Sequence, residues 1–238
     1  MGRLPSGGLR TNGERVVVTG RHAPMARRRD ETGSAAMVVG VLALAVFFLA
    51  ILVVIVSLAF SVRVSGHSME PTLHDGDRLE VDLLHRHDIA RFDVVEAVEP
   101  ASPGVTGGKD IVKRVIGLPG DRVAIAGGAT PVVYLRPAGT TTTYVVDNPA
   151  WSGQVGAKQG GCCGDNGVYR LHNVSAKRWQ TVPDGSYWLI GDNWGASTDS
   201  RVFGFVPEES IKAKLSFRIQ PFGRFGHLDD PATLAPAK

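Results

Sequence analysis

The longest uninterrupted apolar run in the chain is Ala35 to Phe60, which holds no charged side chain and is dominated by Val, Leu, Ala, Ile and Phe. As a helix these 26 residues extend about 39 Å, against a hydrocarbon core of roughly 30 Å. The pattern predicts a transmembrane helix over residues 35–61, with some tilt. A cleaved secretory signal is the competing reading. Its apolar region usually runs about 7–15 residues after a short basic start. Here the run is longer and 34 residues precede it, which favours a permanent anchor. No second stretch is apolar enough to cross, so a single pass is expected.

Beyond residue 62 the period changes. Arg78-Leu79-Glu80-Val81-Asp82 alternates polar and apolar, and Arg122-Val123-Ala124-Ile125 does so less cleanly. Phe92-Asp93-Val94-Val95 is a short buried-strand candidate. Pro71, Asp75-Gly76-Asp77, Pro103-Gly104 and Leu118-Pro119-Gly120-Asp121 punctuate these runs as turns. No long exterior stretch repeats apolar residues at helical spacing, so the fold class is mostly β. Residues 126–181 are rich in Gly and Thr and read as an inserted, loop-rich β element. Strand signals resume at Tyr187-Trp188-Leu189-Ile190 and run to Ile219. The expected organisation is a tail over 1–34, the membrane helix, a β catalytic domain over 62–225, and a flexible end over 226–238. The stretch from Pro221 onward reads as frayed.

Charge sharpens the topology. Residues 1–34 hold seven basic against three acidic side chains, a net +4, and the remainder holds 19 against 20. A nearly neutral globular part gives no nucleic-acid patch. Arg27, Arg28 and Arg29 sit just before the apolar run, whereas Arg63 stands alone after it. The positive-inside rule therefore puts the N-terminus in the cytoplasm and the β domain outside, in the plasma membrane. The tail, rich in Gly, Pro and Arg, reads as disordered and suited to anionic lipid head groups. Cys162 and Cys163 are adjacent and the only cysteines, which excludes a disulfide framework. No zinc-type spacing occurs, so no metal and no cofactor is expected.

Three segments concentrate reactive side chains. Ser68 lies in a turn flanked by Gly66 and Pro71. Lys113 follows Ile111-Val112 in an apolar strand-like run, and burial there would lower its affinity for a proton from the ordinary pKa of about 10.4 toward that of a useful base. Gly191 to Arg201 is dense in hydrogen-bonding groups, with Asp199 and Arg201 able to pair. Taken singly, each is better read as a structural feature: a serine in a polar turn, a strand-edge lysine whose head reaches water, and a solvated loop.

Together, and in this order, the segments resemble the bacterial type I signal peptidases, the serine–lysine proteases that remove signal peptides. Ser68-Met69-Glu70-Pro71-Thr72-Leu73 matches the family's S-M-x-P-T-L. Gly76 to Val81 matches G-D-x-[LV]-x-V, and Lys113 to Asp121 matches K-R-x-x-G-L-P-G-D. Gly191, Asp192, Asn193, Ser197, Asp199, Ser200 and Arg201 match G-D-N-x-x-x-S-x-D-S-R, with Gly204 to Glu208 as the following G-F-V-P-E. The resemblance covers Ala35 to Ile219 apart from the insertion.

It implies that Ser68 is the nucleophile, Lys113 the general base and Ser197 the hydroxyl that orients the lysine. Asp192, Asp199 and Arg201 would support the site, and Met69 would border the pocket for the residue before the cut. Gly66 stands where part of the family has an oxyanion-binding serine, which leaves backbone N–H groups, chiefly that of Ser68, for the oxyanion. Trp194-Gly195-Ala196 departs from the usual R-D-N. Implied partners are exported preproteins with Ala-x-Ala type sites, the lipid bilayer and a nearby secretion translocon. Other readings are a Ser–His–Asp hydrolase using His67, a self-cleaving repressor, and an inactive tethered binding domain. Side chains of neighbouring residues diverge, so His67 is poorly set to serve Ser68. Gly66-x-Ser68-x-Glu70 lacks the second glycine of a nucleophile elbow. The anchor and the lack of a DNA-binding region speak against a repressor.

Overall fold

The computed structural model describes residues 28–82, 85, 87–102, 105–126, 132–152, 179–228 and 231–237. The tail before Arg28, the centre of the insertion and both cysteines lie outside the described residues. What is described falls into two compact units that divide between Val53 and Val54.

The first unit is the body of helix α1, Arg28–Ala59. Its Gly33–Ala59 stretch is long and apolar enough to cross a membrane. Among the described residues the second unit holds thirteen strands, one short α-helix and three single-turn 3-10 segments. An eight-stranded sheet runs β1 (Ser61–Arg63), β2 (Arg78–Asp82), β11 (Ile211–Gln220), β3 (Val94–Val98), β4 (Asp110–Gly117), β9 (Ser186–Ile190) and β10 (Val206–Pro207), with β12 (Gly226–His227) also paired to β11. A five-stranded sheet runs β13 (Thr233–Pro236), β7 (Tyr144–Asp147), β6 (Val132–Arg136), β5 (Arg122–Ala126) and β8 (Gln180–Thr181). Helix α2 is a single turn, Ser200–Phe203. The pairings are antiparallel, as the alternating pattern requires when one face of a sheet meets the core.

Three apolar clusters hold the second unit. Val64, Met69, Leu73, Leu79, Val94 and Leu215 pack on one face of the large sheet, and Val95, Ala97, Ile111, Val115 and Leu189 on the other. A third joins the two sheets, from Ile116, Trp188 and Ile190 to Val123, Ile125, Leu135 and Val146. The described parts of residues 126–181 therefore complete a second sheet with its own share of core.

Strands β2 and β5 fall on the predicted runs. The Phe92 run begins later than expected. Phe92 takes a positive φ of 74°, and the strand proper starts at Val94. The frayed end is corrected. Thr233–Pro236 pairs along β7 from Asp147 to Tyr144, and Ala232 is buried. The edge of β7 offers unpaired backbone groups that this short segment satisfies, and its Pro236 falls at an outer edge strand where a missing N–H is tolerated. Sequence periodicity is blind to a strand this short and proline-bearing.

Candidate active site

Strand β4 delivers the lysine. Both Lys113 and Arg114 are buried, and strand alternation sends them to opposite faces. Arg114 is satisfied outright. Its Nε and Nη2 donate to the two carboxylate oxygens of Asp192 at 2.8 and 2.7 Å, and Nη1 donates to the Phe92 carbonyl at 2.8 Å. Asn148 Nδ2 also donates to Asp192, at 3.0 Å. This buried pair pins β4 to the loop after β9.

Lys113, 3% exposed, lies on the other face. Its Nζ donates to Ser68 Oγ and to the Val112 carbonyl, each at 2.9 Å. Burial is the main reason its pKa falls from 10.5 to about 8. Asp199 opposes that shift, Lys109 assists it, and Glu99 and Arg201 contribute less with opposite signs. Desolvation disfavours the ammonium because the surrounding protein solvates it worse than water does.

Ser68 is half-buried at the end of the segment that leaves β1. Its carbonyl accepts from Asn193 N–H at 3.0 Å, tying the serine's backbone to the polar loop. Gly66 has φ +89°, and a Cβ there would meet nothing within 4 Å. Its N–H donates to Asp75 at 2.8 Å. The space above Gly66 opens into a groove of about 490 Å³, whose walls are the 61–68 segment on one side and Asp110 to Lys113 on the other. Strand β9 pairs with β4 only from Arg114 onward, so among the described residues the 110–113 edge has no strand beside it on that side.

The polar loop is braced from within. Asp199 accepts from Gly191 N–H at 3.0 Å and from Arg201 Nε and Nη2, both at 2.7 Å. Arg201 also donates to the Trp194 carbonyl and stacks over its ring, 4.2 Å from the centroid. Trp151, in the single 3-10 turn Pro149–Trp151 that follows β7, meets Trp194 edge to face at 5.2 Å and donates to the Gly191 carbonyl at 3.1 Å. The departure at Trp194 thus has a physical counterpart in Trp151.

The structure brings Ser68, Lys113, Gly66, Ser197, Asp192, Asp199 and Arg201 into one region, but not every contact is the expected one. Ser197 Oγ is buried, makes no hydrogen bond among the described residues, and abuts Gly191. The second bond to Lys113 comes from the Val112 carbonyl instead. Met69 is buried in the core cluster with Leu73 and Leu79 and does not line the groove. His67 points to solvent at 67% side-chain exposure and bonds Glu70 at 2.8 Å. Sequence reading missed Arg114, Asn148 and Trp151. A charged residue next to Lys113 in an apolar run was the available signal for Arg114. Nothing local marks the other two.

The description "Signal peptidase, peptidase S26" matches residues 11–220. The chain belongs to the bacterial type I signal peptidases. Signal peptidase IB of Staphylococcus aureus is 33% identical over 198 residues, covering 80% of this chain and 93% of its own. Signal peptidase I of Streptococcus pneumoniae is 33% identical over 189 residues, covering 70% and 84%. The crystal structure of a signal peptidase I from Enterococcus faecalis is 26% identical, with a TM-score of 0.35, and matches 54% of this chain and 97% of that one. Family membership makes the chain a peptidase, and the apolar α1 is consistent with membrane anchoring.

Proposed function

We propose that the chain removes N-terminal signal peptides from exported preproteins, with Ser68 as nucleophile and Lys113 as general base. The observation that carries this reading is the 2.9 Å contact between a buried lysine Nζ and a serine hydroxyl that opens on a groove. Neutral Lys113 takes the Ser68 proton as Oγ attacks the scissile carbonyl, and later gives it to the leaving amine. Water then hydrolyses the acyl-serine with the lysine again as base. The Ser68 N–H, beside the open space at Gly66, stabilises the oxyanion. Asp192, Asp199 and Arg201 hold the loop that fixes the Ser68 backbone.

The substrate lies extended between the 61–68 segment and the free 110–113 edge, bonded as an added strand. Small residues one and three places before the cut, of the Ala-x-Ala type, fit this reading. Arg27, Arg28 and Arg29 ahead of the apolar Gly33–Ala59 stretch, the one helix among the described residues able to cross a membrane, support a single pass with the N-terminus cytoplasmic and the catalytic unit outside, beside the translocon that delivers preproteins. The exposed His67–Glu70 pair speaks against a Ser–His–Asp arrangement.

The test is incubation of the purified full chain with a preprotein bearing an Ala-x-Ala site, followed by mass spectrometry of the product. The expected product begins immediately after the second alanine. An intact preprotein, or cleavage elsewhere only, would contradict the reading.

A further inference from the structure

Strand β7 runs into the turn Pro149–Trp151, and that turn touches the loop behind Ser68. Asn148 starts it. Its side-chain oxygen accepts from Ala150 N–H at 3.0 Å, while its Nδ2 donates to Asp192 at 3.0 Å. Three residues on, Trp151 Nε1 donates to the Gly191 carbonyl at 3.1 Å. One turn therefore grips two consecutive residues, Gly191 and Asp192. The turn itself is firmly held. β7 is paired by β6 on one side and β13 on the other, and Trp151 packs against the apolar cluster that joins the two sheets. Its ring meets Trp194 edge to face, and the Arg201 guanidinium lies over Trp194 in turn.

The gripped residues support the backbone of Ser68. Gly191 is buried and both of its backbone polar groups are engaged. Its N–H donates to Asp199, and its carbonyl accepts from Trp151. It lies so close to Ser68 that an added Cβ would strike the Ser68 carbonyl oxygen. Two residues on, Asn193 N–H donates to that same oxygen at 3.0 Å. The Ser68 carbonyl thus rests on the 191–193 stretch, and a rotation of the Gly191–Asp192 peptide would move the surface beneath it.

We propose that Trp151 is a positioning residue: its indole N–H fixes the Gly191–Asp192 peptide, and that peptide sets where Ser68 sits relative to Lys113. The inference rests on the proposed function, since it takes Ser68 as nucleophile and Lys113 as base. Trp151 does not line the groove, so it acts on the chemical step and not on peptide binding. Phenylalanine in its place keeps the edge-to-face contact and removes the donor, which leaves the buried Gly191 carbonyl short of a partner. Nucleophile and base tolerate little displacement from productive geometry, so the loss falls on turnover.

The test compares the full-length protein, Trp151→Phe and Trp151→Ala on one preprotein with an Ala-x-Ala site. Values of kcat and KM are measured at a temperature where thermal melts show the proteins folded. For Trp151→Phe, kcat is expected to fall about fivefold to tenfold, the effect of one lost hydrogen bond, with KM within about twofold of wild type. For Trp151→Ala, which also loses the ring contact, the fall in kcat is expected to be larger. Wild-type kcat in folded Trp151→Phe would overturn the inference and leave the protease reading intact. A raised KM with kcat unchanged would also overturn it. No cleavage of any preprotein by the wild type would overturn both. If Trp151→Ala does not fold, the more conservative Trp151→Phe decides.

Discussion

Lys113 Nζ lies 2.9 Å from Ser68 Oγ, across a sequence separation of 45 residues. The lysine is held by β4 and the serine by the turn after β1, and Arg114 and Asn193 lock those two elements to the same loop. The proposed base and nucleophile, so placed, have a measurable signature in pH.

The cleavage rate should rise with pH through about 8, because only neutral Lys113 can accept the serine proton and burial sets its pKa there. A pH profile of kcat/KM checks this. A profile that is flat between pH 6 and 9 would remove Lys113 from the role of base.

The same burial should make Lys113 a liability for stability. Below pH 8 the folded state holds an ammonium that prefers water. Between pH 8 and 10.5 the folded state has lost a proton that the unfolded state keeps, so stability attributable to this group rises with pH. Lys113→Met should therefore be more stable than wild type near pH 7, by about 3 kcal/mol from a pKa lowered from 10.5 to about 8. The advantage should shrink as pH approaches 10.5. Denaturant unfolding at several pH values measures it.

Asp192→Ala should cost about 3–5 kcal/mol, since it strands the Arg114 guanidinium in a buried site. Urea midpoints check the size. A loss below about 1 kcal/mol would show that water or another acceptor reaches Arg114.

Gly191→Ala should damage activity more than an ordinary loop substitution. An added Cβ would collide with the Ser68 carbonyl oxygen and with Ser197 Oγ and Cβ. Relief of that clash must displace the backbone of the nucleophile or the loop beside it, at a cost of about 1–3 kcal/mol. Ser197→Ala, by contrast, removes a hydroxyl that makes no hydrogen bond, so it should reduce kcat far less than Lys113→Ala. Comparable losses in the two variants would mean that Ser197 engages Lys113 during the reaction.

Much of this was legible in the chain itself. Charge-free length marks α1, and period-two alternation marks β2 and β5. The motif residues Ser68, Lys113, Asp199 and Arg201 meet in space as their family resemblance implies. What was not legible depends on tertiary contact. Asn148 and Trp151 come from the insertion, and only their contacts with Asp192, Gly191 and Trp194 give them meaning. Met69 is apolar whether it lines a pocket or fills a core, and packing decides for the core. Thr233–Pro236 becomes a strand because β7 has a free edge, which no local pattern announces.

The central claim, that Ser68 attacks with its proton taken by Lys113, is tested most directly by single-turnover cleavage of an Ala-x-Ala preprotein by four proteins. These are wild type, Ser68→Ala, Lys113→Ala and the double variant. Both single variants should lose at least about 10²–10⁴-fold, and the double variant should lose no more than the worse single one, because two groups acting as a unit are not additive. Cleavage near the wild-type rate by either single variant would contradict the account.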